Sequence, residues 1–300
     1  MKNIENNGKV LGLLIAAAYL ILFQGNQVFE WVLIGSVLLT VGIPHGSLDH
    51  LLSNPNPGKG GLLKFILKYL AIIFCYFLVW IFLPVPALII FLLMSAYHFG
   101  QSHFLHVSLP YHQKPTYFFT GVFYLSVILW GDFYNTALIL NTIAPVDKLE
   151  IYGWPIILSS FLISNVLVFK NQSGKGMLLM AEMLFLGTLL YYLPLLVGFI
   201  LYFGFWHALP SMNAEYNSLK QHFSNNHLKR FIGKMIPFTA ISILGIILVL
   251  VIALLYPGTN TEELVLLFFI LISLISAPHV WFMNRFLETK KLDLNNSPGH

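Results

Sequence analysis

Apolar residues in this chain do not alternate with polar ones; they run together in long blocks that short polar or Pro/Gly-rich joints interrupt. An α-helix rises 1.5 Å per residue, so about 20 apolar residues carry it across a hydrocarbon layer roughly 30 Å thick. Ten spans are read, at 10–23, 28–48, 62–83, 86–105, 116–130, 151–169, 176–193, 195–212, 235–256 and 263–286. The first and fifth are short for a full crossing, so a count of eight or nine is the alternative. Several joints hold helix breakers: "NPNPGKGG" at 54–61, "PVP" at 84–86, "NQSGKG" at 171–176 and "YPGTN" at 256–260. The pattern predicts an all-α fold: a polytopic transmembrane helical bundle of about ten (8–10) spans, one domain over residues 1–300.

Composition narrows the class. Hydrophobic residues make up 57% of the chain and charged ones 9%, against about 25% charged in soluble domains. A water-soluble globular protein is excluded by that balance. The net charge of +4 does not point to nucleic acid, because Lys and Arg are spread over short joints. Placing the N-terminus in the cytoplasm puts every one of the 16 Lys and Arg except Lys148 on the cytoplasmic side. Asp132, Asp147, Glu150, Glu262 and Glu263 then fall outside. Cytoplasmic loops carry an excess of basic residues, so both termini are expected in the cytoplasm. The N-terminal block lacks a small-residue cleavage site and is read as a retained first helix. The joint 213–234 is expected to lie as a basic segment on the anionic leaflet. Within 132–150, "NTALILNTIAP" is expected to form a short re-entrant or interfacial piece. Cys75 is the single cysteine, which rules out an intramolecular disulfide; it is read as a small buried hydrophobe.

The polar chemistry inside the spans is concentrated in histidine. Of 11 histidines, His106, His112, His222, His227 and His300 fall in joints or the tail and are read as solvated. His45, His98, His207 and His279 instead lie about 12 to 18 residues into spans 2, 4, 8 and 10, all running the same way. At 1.5 Å per residue that is one depth, so four imidazoles on four co-oriented helices can converge. Ionisable groups inside a bilayer normally face the protein interior and mark a functional site. Each also stands beside a backbone breaker: Pro44, Gly100, Pro210 and Pro278. Neutral imidazole suits iron, zinc and copper, and a site made only of imidazoles suits a non-haem Fe(II). Helix geometry places i+4 on the same face, which makes Asp49 the expected orienting carboxylate for His45. By the same spacing Ser102 and Ser211 are the expected hydrogen-bond partners of His98 and His207. His50 and His103, at i+5, diverge by about 140° and are held as reserve ligands. Glu182, in mid-span, is expected to find a partner; Glu215 is read as an interfacial charge.

Taken in order, "GIPHGSLDH" (42–50), "YHFGQSH" (97–103), "FWHALPS" (205–211) and "APHVWF" (277–282) resemble the Brp/Blh family of β-carotene 15,15′-dioxygenases. The resemblance spans His45 to His279. It implies an iron-dependent, multi-pass enzyme of the bacterial inner membrane that splits β-carotene centrally with O2 into two retinal molecules, often for a microbial rhodopsin. By motif, His45, His98 and His207 match the family histidines that hold the iron. The chain departs from the family pattern twice. An aspartate often follows the "HFG" histidine by five residues where this chain has His103. A second histidine follows the "FWH" histidine by four where this chain has Ser211. His279 is the residue expected to replace that ligand, with His103 and His50 in reserve. The substrate, a hydrocarbon, would reach such a site laterally from the lipid bilayer.

Three other functions use the same residues. A di-iron lipid or carotenoid hydroxylase or desaturase would carry H-x3-4-H and H-x2-H-H boxes; this chain has two H-x4-H pairs and no HH doublet. A metal or proton transporter would spread polar residues along both halves of several spans, whereas here they gather at one level. A haem protein would use His98 and His207 as axial ligands.

Overall fold

The computed structural model describes residues 2–172, 174–223 and 225–296. Among these there is helix and no strand. The α-helices are α1 (Lys2–Ala18), α2 (Gln27–Val37), α3 (Asp49–Ser53), α4 (Lys59–Phe82), α5 (Pro84–His103), α6 (Gln113–Gly131) and α7 (Phe133–Leu140). They continue as α8 (Gly153–Asn171), α9 (Gly176–Tyr191), α10 (Leu195–Leu201), α11 (Leu209–Leu219), α12 (His227–Leu254) and α13 (Thr261–Asn296). Three stretches wind more widely, as π-helix: Tyr19–Phe23, Leu38–Gly42 and Tyr202–Ala208.

Among the described residues, eight continuous helical stretches are long and apolar enough to cross a membrane. A ninth exists if α6 and α7 count as one span bent by 92°. The ten sequence-read spans therefore resolve differently at two places. The seventh is the 16-residue α9, and the fifth turns sharply into α7, where a re-entrant piece is expected. The joint expected at 213–234 is largely helical too: α11 extends the eighth span, so that Leu195–His222 is one stretch of 28 residues.

That stretch is the axis of the bundle. In its most apolar window 78% of residues are buried inside the protein, against 11% for α4 and α12. The outlying helices show their apolar side chains outward, as lipid-facing helices do. Cys75 on α4 is exposed for this reason and not buried as expected; an apolar run does not distinguish a lipid-facing position from a core one. Within hydrocarbon, helix association rests on close packing and on hydrogen bonds between helices. α5 and α6 approach until backbones touch: a Cβ on Gly100 would overlap the Tyr117 carbonyl, and one on Gly121 the Ala96 carbonyl. The Thr120 and Ser164 hydroxyls are hydrogen-bonded at 2.6 Å between α6 and α8. Glu182 on α9 finds the expected partner, Lys9 of α1, at 2.6 Å. An aromatic core that includes Tyr19, Phe99, Tyr124, Tyr202, Phe203 and Trp206 surrounds the axis.

Candidate metal centre

Two of the π-helical stretches flank or contain the site. Leu38–Gly42 ends just before Pro44, which has no N–H to return to the preceding turn, and a short 3-10 turn, Pro44–Gly46, then carries His45. Tyr202–Ala208 contains His207 and precedes Pro210 by the same logic. Wide turns of this kind recur at functional sites because they re-aim a side chain inside a continuous helix. His98 comes from the regular helix α5, and His279 from α13 directly after Pro278.

These four imidazoles meet in one buried layer. His45 stands edge-on to His207 (ring centroids 5.2 Å apart) and to His279 (4.8 Å). His98 stands edge-on to His207 (4.6 Å) and to His279 (5.1 Å). The contacts close a ring, His45–His207–His98–His279. One ligand nitrogen from each of His45, His98 and His279 lies within 4.8 Å of the other two. His207 forms the fourth wall beside that triad. Small residues make the crowding possible: a Cβ on Gly46 would stand 3.2 Å from Nδ1 of His279, and one on Gly42 would stand 2.8 Å from the Phe203 ring.

Three of the rings are held by a different acceptor at Nδ1. His45 Nδ1 donates to the carbonyl of Gly42. His279 Nδ1 donates to both carboxylate oxygens of Asp49, at 2.9 and 3.1 Å. Ser102 gives its own proton to the Phe99 carbonyl at 2.6 Å, so its oxygen accepts from His207 Nδ1 at 3.1 Å. Each arrangement fixes the tautomer that leaves Nε2 with a free lone pair, which is how metal-binding histidines are oriented. Nε2 of His279 and both ring nitrogens of His98 are buried with no hydrogen-bond partner among the described residues. Orphaned nitrogens at one depth are costly in an apolar interior, and a metal ion would satisfy them. The donor set fits a non-haem metal. It does not fit a haem between His98 and His207, because those rings touch edge-on and leave no slot for a porphyrin.

The orienting groups serve other rings than the spacing suggests. Asp49 does not hold His45, four residues earlier, but His279 on α13. The i, i+4 relation fails because the chain leaves the helix at 43–48 and restarts at Asp49. Ser102 holds His207 and not His98. Ser211 is buried but bonds none of the four rings among the described contacts. The reserve ligands lie apart from the layer. His50 packs on Phe238 at 4.4 Å. His103 stacks on Tyr124 at 4.6 Å and its Nε2 meets the Tyr202 hydroxyl at 2.9 Å. Glu215, read as interfacial, is fully buried with no hydrogen-bond partner at its carboxylate among the described residues; α11 continues the buried axis below His207 instead of emerging at a surface. His106 and His112 pair with Glu5 and Lys170 in the joints, and His300 lies outside the described residues. Tyr69 escaped the sequence reading: its hydroxyl reaches Asp49 (3.4 Å) and the Ile275 carbonyl (3.3 Å), tying α4 to the Asp49–His279 pair. Its one signal is a phenol in an apolar run, which Tyr76 of the same helix also gives.

Comparison with known proteins addresses the same region. A family model described as β-carotene 15,15′-dioxygenase matches residues 36–287, which include all four histidines. A curated relative, the β-carotene 15,15′-dioxygenase of uncultured marine bacterium 66A03, is 29% identical over 224 residues, covering 71% of this chain and 78% of that protein. No solved structure matches. With a family match over most of its length, containing the four-histidine layer, this chain belongs to the β-carotene 15,15′-dioxygenase family.

Proposed function

We propose that the protein is a membrane-integral, iron-dependent enzyme of the bacterial inner membrane that cleaves the central double bond of β-carotene with O2 to give two molecules of retinal. The observation that carries this reading is the buried ring of four imidazoles. Three of them are locked at Nδ1 by a carbonyl, a hydroxyl and a carboxylate, and unpartnered nitrogens remain at the same level. His45, His98, His207 and His279 would hold the iron, with His279 in place of the histidine that the family motif has where this chain has Ser211. A non-haem Fe(II) bound there supplies the redox chemistry by which O2 converts one carbon–carbon double bond into two carbonyl groups.

The chain's own residues supply position and dryness. Asp49, which the Tyr69 hydroxyl reaches, holds His279, and Ser102 holds His207, so these imidazoles keep their lone pairs aimed without reorganising. Phe99 and Phe203 lie against His207, and Phe203 meets the edge of His45. They keep water from the layer, which protects a reactive site from side reactions. Asp49 orients His279 and takes no part in proton transfer. The hydrocarbon substrate comes from the bilayer, and the retinal product serves a microbial rhodopsin.

Expression in cells that make β-carotene tests the reading. Loss of orange colour with retinal appearing on chromatography is the expected result. Unchanged carotene in cells that hold folded, iron-loaded protein refutes it.

A further inference from the structure

Two cavities occupy the half of the bundle that holds the α12–α13 turn. The first, of about 80 Å³, is the more enclosed of the two: every residue lining it, from Trp80 of α4 to Leu140 of α7, is buried or half-buried. The second, of about 350 Å³, lies between α2, α10, α12 and α13 and opens sideways. Trp31 and Leu254 on its rim are 53% and 61% exposed. Both linings are apolar apart from a few small hydroxyl residues such as Ser95, Thr136 and Thr261. Phe199 and Phe269 wall both cavities, and their rings meet edge to face at 5.2 Å. This aromatic pair is a partition with one cavity on each side.

The partition stands over the imidazole layer. Phe199 stacks on Phe203 at 5.6 Å, and Phe203 in turn lies at 5.6 Å from His207 and from His45. Phe99, which lines the enclosed cavity, is 4.7 Å from His207. Phe99 and Phe203 thus link the partition to the histidines. Ligand sites for apolar molecules usually measure about 300–1,000 Å³. The enclosed cavity is far below that range and the open one near its lower end, so neither holds a long hydrocarbon by itself. An apolar void also stays dry, and side chains facing a void forfeit fewer contacts when they move.

We propose that the two cavities are the arms of one passage for a rod-shaped polyene hydrocarbon. The rod enters from lipid between α2, α12 and α13 and displaces the Phe199–Phe269 partition. This rests on the carotenoid-cleaving reading and adds where the substrate lies: one end in each arm, with the stretch between them beside Phe99 and Phe203. Phe199, at the division between the arms, is the residue that positions the rod.

Gly35 offers a clean test, because it lines the open arm and nothing stands within 4 Å of where its Cβ would be. Gly35→Phe fills that arm, while Gly35→Ala does not. The measurement uses full-length, metal-free protein in lipid nanodiscs, with β-carotene binding read by quenching of tryptophan fluorescence. Trp31 lines the open arm and Trp80 the enclosed one. β-Carotene is expected to quench both, with the contribution of each found by difference from Trp31→Phe and Trp80→Phe. Gly35→Phe is expected to weaken binding about ten-fold or more while Co(II) binding at the histidines stays intact. Phe199→Ala, which removes the partition instead of adding bulk, is expected to tighten binding several-fold. Quenching of Trp31 without Trp80, or unchanged affinity in both variants, overturns the passage. Protein that binds β-carotene in this gated way yet yields no aldehyde once loaded with Fe(II) and given O2 leaves the passage standing and refutes the proposed reaction instead.

Discussion

The Asp49–His279 pair makes the sharpest quantitative test of how the imidazole layer is held. The carboxylate is buried and accepts from His279 Nδ1 through both oxygens, at 2.9 and 3.1 Å. A hydrogen bond to a charged group is worth about 1.5–3 kcal/mol and a neutral one about 0.5–1.5. Asp49→Asn keeps the volume and one acceptor and removes the charge, so it should cost about 1–1.5 kcal/mol, or roughly ten-fold in metal affinity. Asp49→Ala removes the acceptor as well and should approach the roughly 100-fold loss seen when such partners of metal-binding histidines are removed. Ser102→Ala deletes only a neutral acceptor on His207 and should cost about two- to ten-fold. Anaerobic titration of the purified protein with Co(II) or Fe(II) against a competing chelator reads these differences. A double-mutant cycle on the thermal stability of the metal-free protein adds the partner: Asp49→Ala should couple more strongly to His279→Ala, whose ring it holds, than to His45→Ala. Metal affinity within two-fold of the parent in Asp49→Ala, or equal coupling to His45 and His279, would refute the reasoning.

Other outcomes follow from the same geometry. His50→Ala and His103→Ala should leave metal affinity within about two-fold, because both rings lie outside the layer; chelator competition checks this. Gly100→Ala should cost about 1–3 kcal/mol or more through overlap with the Tyr117 carbonyl, read as a loss of thermal stability in detergent. Gly35→Ala, on an open helix face, should instead gain about 0.5–1 kcal/mol in the same assay. Glu182→Gln should lower stability by about 1–2 kcal/mol in the same assay, since it leaves the Lys9 ammonium of α1 without its charged partner on α9.

Much of the fold was legible because hydropathy reports helices directly: all ten apolar blocks are helical, even where α9 is short and α6 bends into α7. The convergence of His45, His98, His207 and His279 was also legible, since equal depth on co-oriented spans constrains position along the helix axis. What the spacing could not give was the partner of each ring. The i, i+4 rule assumes an unbroken α-helix, and the chain abandons one at 38–48 and again winds widely at 202–208. Asp49 therefore crosses to α13, and Ser102 reaches His207 from α5. Burial was misread at both extremes. Cys75 faces outward from an apolar helix, while Glu215 is enclosed by the axis stretch. Periodicity ranks faces of a helix but does not say whether a face meets lipid or protein.

The central claim is that one metal, held by the imidazole layer, carries carotenoid cleavage. The most direct measurement is iron content and retinal formation, side by side, in purified protein and in His45→Ala, His98→Ala, His207→Ala and His279→Ala. The account predicts one iron per chain in the parent, with iron or turnover lost in each variant. Full iron and undiminished retinal formation in any one of the four variants would contradict it.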